Sequence, residues 1–272
     1  VEIAPIHAAI HKFNFPNCAV IPRSVTEVTG DQIRDSAGIG QRDVDVVFGG
    51  APCQGFSMIG QRALDDPRNS LVRDFVRIVD QLDAKTFVFE NVKGLTVGKH
   101  QKFLVELIEA FEARGYRVRR EWKVLNAADH GVPQDRKRFI LLGARGETPL
   151  PNYPTQITPA ANTANRGSTT GPTCRDAIGD LPDAESFDQL LHTDEVWVEA
   201  LGEQSDYARE LRAIGNDAWH FGHPRIWEPS MLTCSLRTDH TEVTRRRFAA
   251  TETGKVEPVS RFFKLPPDGV SN

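Results

Sequence analysis

The sequence has little that would mark it as secreted, membrane-bound or metal-built. It holds only four cysteines, Cys18, Cys53, Cys174 and Cys234, and no two form a Cys-x-x-Cys pair. That spacing excludes the common zinc frameworks and a dense disulfide scaffold, and no metal ligands are assigned. A reduced, cytoplasmic setting is expected. No apolar run approaches the length of a membrane span. No secretory leader precedes the first ordered-looking segment, although the chain begins at Val1, so no native N-terminal address is read from it. There is no internal repeat and no large excess of charge: the formal net charge is −4. That balance does not advertise nucleic acid, but a local basic groove can coexist with an acidic remainder. Two basic clusters stand out, Arg114 to Lys123 and Arg245 to Arg247, and either reads equally well as a solvated face.

What is present is an ordinary globular composition over 272 residues, 39% hydrophobic and 26% charged. That is enough for one large α/β domain and a smaller lobe. The first half alternates helical and strand-like patterns. Pro5 to Lys12 reads as a helix and Cys18 to Ile21 as a short strand. Val44 to Phe48 is a continuous apolar run, as expected of a parallel strand buried on both faces. Ser70 to Leu82 and Gln101 to Arg114 carry apolar residues at helical spacing, the second closed by Gly115. Thr86 to Phe89, Tyr116 to Leu125 and Arg138 to Gly143 read as strands. Such alternation predicts a mixed or parallel sheet covered by helices. From Glu147 to about residue 173 the chain is rich in Pro, Thr, Asn and Gly without a period, as in a linker. Val196 to Ile214 looks helical. The expected domains are therefore 1–146, a linker 147–173, and a lobe 174–272.

Three motifs fall at predicted strand ends. In Gly49-Gly50-Ala51-Pro52-Cys53-Gln54 a strand stops at a glycine pair and a rigid proline presents a cysteine. A thiolate is a strong nucleophile, and the glycines allow a ligand close to the backbone. A lone cysteine is usually structural, and only the context argues otherwise. Phe87 to Val92 is an apolar strand that ends in Glu90, at the strand end where ligands bind open parallel sheets. A single such Glu also suits a helix cap or the surface. In Gln134-Asp135-Arg136-Lys137-Arg138, two arginines on one strand face suit a carbonyl oxygen or a phosphate, or a salt-bridged surface.

Together, in this order, Pro52-Cys53-Gln54, Glu90-Asn91-Val92 and Gln134-x-Arg136-x-Arg138 resemble the signatures of the cytosine-C5 DNA methyltransferase family. The resemblance spans residues 1–145 and continues more weakly through Ser235-Leu236-Arg237 and Pro258 to Phe262. It implies a Rossmann-like mixed sheet of the S-adenosylmethionine-dependent type, with a smaller irregular target-recognition lobe. It implies that Cys53 attacks carbon 6 of a flipped cytosine, with Glu90, Arg136 and Arg138 as its catalytic partners. S-adenosyl-L-methionine is the implied cofactor, with Glu2, Ser24, Val25 and Pro52 at its site. Ser24 stands where the family usually has an acidic residue, and Asp31 is a substitute. Gln54, Ser57 and Arg68, in or beside a loop over the DNA, and Arg237 and His240 in the lobe are the implied DNA contacts. The implied partner is double-stranded DNA, with a cognate restriction endonuclease acting on the same site and a monomeric enzyme.

The family's first Gly-rich turn and its closing Gly-Asn motif are not supplied by this chain, which is expected to be cut at both ends. Other readings are an RNA cytosine methyltransferase, an inactive DNA-binding homologue, and an unrelated thiol hydrolase pairing Cys53 with His130.

Overall fold

A computed structural model describes residues 1–52, 69–96, 100–158, 171–212, 228 and 230–272. Cys53, Gln54, Ser57 and Arg68 lie outside the described residues. The chain divides into two compact units. The first contains Val1–Leu125 and Lys137–Thr155, and the second takes Asn126–Arg136 and the chain from Gln156 on.

The first unit is built on a five-stranded mixed sheet. Its strands are β1 (Val46–Gly49), β2 (Thr86–Val92), β3 (Tyr116–Val118), β4 (Lys123–Asn126) and β5 (Lys137–Arg145). The order is β1-β2-β5-β3, with β4 also paired to β5. β1 and β2 are parallel, whereas β5 runs antiparallel to both β2 and β3. The helices are α1 (Pro5–Asn14), α2 (Gly30–Ala37), α3 (Ser70–Gln81) and α4 (His100–Glu112). α3 and α4 form because their apolar residues recur on one face, and those faces build the core. Val72, Phe75, Val76 and Val79 from α3 meet Phe103, Leu107 and Phe111 from α4 and Phe87 and Phe89 from β2. Phe87 stacks on Phe111 at 3.8 Å between ring centres. The buried Tyr116 hydroxyl donates to the Val79 and Ala84 carbonyls at 3.0 and 2.9 Å. That bond ties β3 to the end of α3. Gly115, at φ +82°, ends the approach to β3 as its sequence position predicts.

In this unit three local expectations change and one helix is additional. β1 is not buried on both faces: it is the end strand of the order and alternates, with Phe48 78% exposed and Val47 against the core. A continuous apolar run cannot distinguish a central strand from an end one. Cys18 to Ile21 forms no strand, although the Ile21 carbonyl accepts the Glu2 N–H at 3.0 Å. Tyr116 to Leu125 breaks into β3 and β4. α2 was not read from the sequence. Its signal was there, in the reciprocal capping of Thr29 and Gln32.

The second unit contains α5 (Cys174–Ile178), β6 (Val196–Trp197), α6 (Asp206–Leu211), β7 (Met231–Leu232) and α7 (Glu242–Ala250). β6 and β7 pair antiparallel over a small core of Leu190, Val196, Val198 and Leu232. Asp180, almost fully buried, is ion-paired by Arg212. The expected helix from Val196 to Ile214 is instead β6 followed by the short α6. Gly202 separates them, and its N–H donates to the Asp180 carbonyl at 2.7 Å. A Cβ there would sit 3.2 Å from Asp180 backbone, so the close approach favours glycine.

Candidate functional site

The described site lies where β1, β2 and β5 of the first unit come together. Glu90 and Asn91 are consecutive on β2, so their side chains leave opposite faces of the strand. The register sets Glu90 opposite Ile140 and Val92 opposite Arg138 on β5. This diagonal allows the Arg138 guanidinium to reach the carboxylate, with Nε to Oε1 at 2.7 Å. The two side chains are 27% and 38% exposed, so the pair is open to an incoming group. Arg138 also donates from one terminal nitrogen to its neighbour's carbonyl, Lys137, at 2.9 Å, which holds the fork in place.

Asn91 is buried and works on the other face. Its Nδ2 donates to the Ala51 carbonyl at 2.9 Å, and its Oδ1 accepts the Val92 N–H at 2.9 Å. The segment that leads out of β1 toward position 53 is thereby held beside the end of β2. Gly50 lies in that segment, and a Cβ on it would stand 2.7 Å from Glu90 Oε2. Glycine here is a matter of space: any side chain would push the carboxylate. Asn91 positions this segment, a role not assigned from the sequence, although its place beside Glu90 on a buried strand was a signal.

A cavity of about 890 Å³ opens along β1. Its walls include Glu2, Ser24, Val25 and Pro52, the four residues that the sequence set aside for a cofactor, together with Phe48 and Gly49. The volume lies in the ~300–1,000 Å³ range of small-molecule pockets. Glu2 accepts the Ala4 N–H through Oε1 at 2.8 Å, and its other oxygen has no partner among the described residues. The Ser24 hydroxyl accepts from Thr26 N–H at 3.3 Å and caps the turn Val25–Glu27. Apolar walls with one free carboxylate oxygen fit a nucleoside carrying ribose hydroxyls.

Arg136, expected to act beside Arg138, belongs to the second unit. It precedes β5 and is exposed, and its backbone bonds Ala127 and Gln134. In the same unit, Arg237 is only 7% exposed; it pairs with Glu185 at 2.6 Å and donates to the Phe187 carbonyl at 3.0 Å. In this arrangement it holds the lobe together. His240 packs edge-on against Phe248 at 5.1 Å. Arg245, Arg246 and Arg247 lie within ion-pair reach of Asp239, Glu242 and Glu257 respectively. Among the described residues there is no candidate metal cluster and no helix long and apolar enough to cross a membrane.

The model of the C-5 cytosine-specific DNA methylase family matches residues 1–249. Type II methyltransferase M.XorII of Xanthomonas oryzae pv. oryzae is 57% identical, over all of this chain and 61% of that protein. Type II methyltransferase M1.HphI of Haemophilus parahaemolyticus is 37% identical, over 80% of this chain and 59% of that protein. The chain thus spans about three fifths of the length of these relatives. A crystal structure of a candidate DNA modification methyltransferase encoded within an E. coli prophage shares the fold. It gives a TM-score of 0.72 at 20% identity, over 99% of this chain and 73% of that one.

Proposed function

We infer function from one premise: this chain belongs to the C-5 cytosine-specific DNA methylase family. The intact protein transfers a methyl group to carbon 5 of cytosine in double-stranded DNA. The observation that carries this reading is the Glu90–Arg138 pair, set beside the Asn91-held segment that leads to position 53.

Cytosine carbon 5 is a poor nucleophile. It becomes a good one when a thiolate adds to carbon 6, because the ring is then an enamine. Cys53 supplies that thiolate. Glu90 holds ring nitrogen 3 and delivers a proton as the adduct forms, while accepting from the exocyclic amine. Arg138 has further N–H groups for the ring carbonyl oxygen, where charge develops. Arg136 is the second guanidinium assigned to that oxygen. S-adenosyl-L-methionine, when bound, supplies the methyl group. Its site is the cavity along β1, where Glu2 offers an oxygen to ribose hydroxyls and Ser24, Val25 and Pro52 form the wall. Once carbon 5 carries the methyl, a base takes its proton and the carbon 6–sulfur bond breaks, freeing Cys53. A cytosine inside a duplex is out of reach, so the base is flipped out. Gln54, Ser57 and Arg68 are DNA contacts of the first unit, and the second unit reads the sequence, with His240 a contact and Arg237, buried against Glu185, shaping the lobe rather than touching DNA. The Type II names of the relatives support a modification enzyme partnered by a restriction endonuclease of the same site, and a cytoplasmic monomer is its proposed form.

The test is transfer of labelled methyl by the intact protein to DNA and RNA offered side by side, with Cys53→Ser in parallel. Label at carbon 5 of DNA cytosine, lost in the variant, is expected. Label in RNA, or none, refutes the reading.

A further inference from the structure

The second unit carries a small hairpin that no role above uses. Val256 and Phe263 form an antiparallel bridge, with the Lys264 N–H donating to the Lys255 carbonyl at 2.9 Å and the Glu257 N–H to the Phe262 carbonyl at 2.8 Å. Pro258 to Arg261 close it. The closure is held from within: the buried Glu257 carboxylate accepts the N–H groups of Val259 and Ser260 at 3.1 and 2.5 Å. α7 holds it from outside. Arg247 reaches Glu257 at 3.5 Å, and Lys264 donates to the Phe248 and Ala249 carbonyls at 3.1 and 3.2 Å. The tip is therefore fixed in shape, yet Val259 and Phe262 are 67% and 63% exposed and Arg261 is exposed too.

Arg261 is the anomaly. It sits at φ +67°, a conformation that glycine adopts without the steric cost. Asp83 and Cys234 share that backbone region; the Asp83 side chain is engaged by Arg145 at 2.7 Å, and Cys234 carries a small neutral side chain. The Arg261 guanidinium has no bond or ion pair among the described residues. Seven other arginines of the unit differ: Arg175, Arg209, Arg212, Arg237 and Arg245 to Arg247 have a carboxylate within reach, and Arg136 is not among them. A strained backbone that presents a free guanidinium on a braced tip is an outlier whose reason lies outside the chain.

We propose that Arg261 reads a guanine in the target DNA, with the Glu257–Phe262 tip entering the major groove. That groove admits a two-stranded ribbon, and an arginine fork matches guanine O6 and N7. The inference rests on the DNA reading above and adds to it the base and the residue.

Arg261→Gly is the decisive variant, because it removes the fork and relieves the backbone strain together. The intact protein and its Arg261→Gly and Arg261→Lys variants are offered a library of duplexes, and methylated sites are read by sequencing. Melting temperatures are recorded in parallel. The expected result is an Arg261→Gly protein at least as stable as wild type. Its discrimination for guanine at one position falls about 5- to 150-fold, the worth of a bidentate contact. Arg261→Lys keeps the charge and loses most of that discrimination. Unchanged base preference in both variants overturns the proposal. So does a uniform loss across all sequences with a salt slope reduced by about one, which marks a phosphate contact. Absence of DNA methylation by the wild-type protein in the same assay refutes the underlying reading instead.

Discussion

Replacing Glu90 by Gln separates what this side chain does for the fold from what it does for the reaction. The ion pair with Arg138 is short, 2.7 Å, but both side chains remain partly exposed. Pairs in that setting contribute about 0–1 kcal/mol. Gln also keeps an oxygen for Arg138 and nearly the same shape, so Gly50 and β1 need not move. A stability change of that size shifts the melting temperature by no more than roughly 4 °C. Binding of the cytosine ring is also retained in part, because an amide can donate to ring nitrogen 3 and accept from the exocyclic amine. What the amide cannot do is hand over a proton as the Cys53 adduct forms. General acid catalysis contributes about 10²–10⁴-fold, which is roughly 3–5 kcal/mol of barrier. The expected signature is a kcat lowered by that factor with KM nearly unchanged. Single-turnover methyl transfer and thermal unfolding of the same preparation measure both quantities. A variant within threefold of wild type in rate refutes the assignment. A loss of rate matched by a comparable loss of stability refutes it too, because Glu90 would then be structural.

Two further outcomes concern the sheet. Gly143→Ala would place a Cβ 2.1 Å from the ring of Phe87, which is already stacked on Phe111, so overpacking should cost about 1–3 kcal/mol or more. Denaturant unfolding checks this, and wild-type stability would disprove the packing. Tyr116→Phe removes the hydroxyl shared by the Val79 and Ala84 carbonyls, the first of which keeps the Ala84 N–H at 3.3 Å, at a cost of about 1–3 kcal/mol at neutral pH. Burial holds the Tyr116 hydroxyl above its ordinary pKa of 10.0. The folded state thus keeps a proton that the unfolded state has begun to lose. Its contribution is complete below the unfolded value and falls as pH rises through the folded one. The gap between wild type and Tyr116→Phe should narrow at alkaline pH; a constant gap from pH 7 upward would contradict it.

The elements that were legible are those whose pattern is local. α3 and α4 show their buried faces in the spacing of Phe75 and Val79, and of Phe103, Leu107 and Phe111. The end of β2 and the start of β5 were marked by motifs, and the structure brings Glu90 and Arg138 together. What stayed hidden depends on partners far along the chain. Among the described residues nothing buries the β1 face that carries Phe48, which no run of valines announces. Val196 to Ile214 has helix-forming residues, yet Gly202 must approach Asp180 and the helix is confined to α6. Arg237 reads as a surface cation until Glu185, 52 residues earlier, is set against it.

The parity of β2 explains why a carboxylate and an amide occur side by side at this strand end. With a side-chain period of two, Glu90 and Asn91 cannot face the same way. In the proposed function one face of the strand end therefore carries the chemistry and the other the positioning. Asn91 is buried and bonded through both ends of its amide, so it tolerates no change of partner without leaving a polar group unsatisfied in the interior. Glu90 is half-open and bonded to a single guanidinium that can share it with a ligand. Asn91 fixes the Ala51 carbonyl, two residues before Cys53, and Gly50 leaves the carboxylate room. The position of Ala51 relative to the acid is thus set by the Asn91 side chain and not by Glu90 or Arg138. In the proposed reaction, Glu90 would exchange Arg138 for a cytosine ring while Asn91 keeps Ala51 in place.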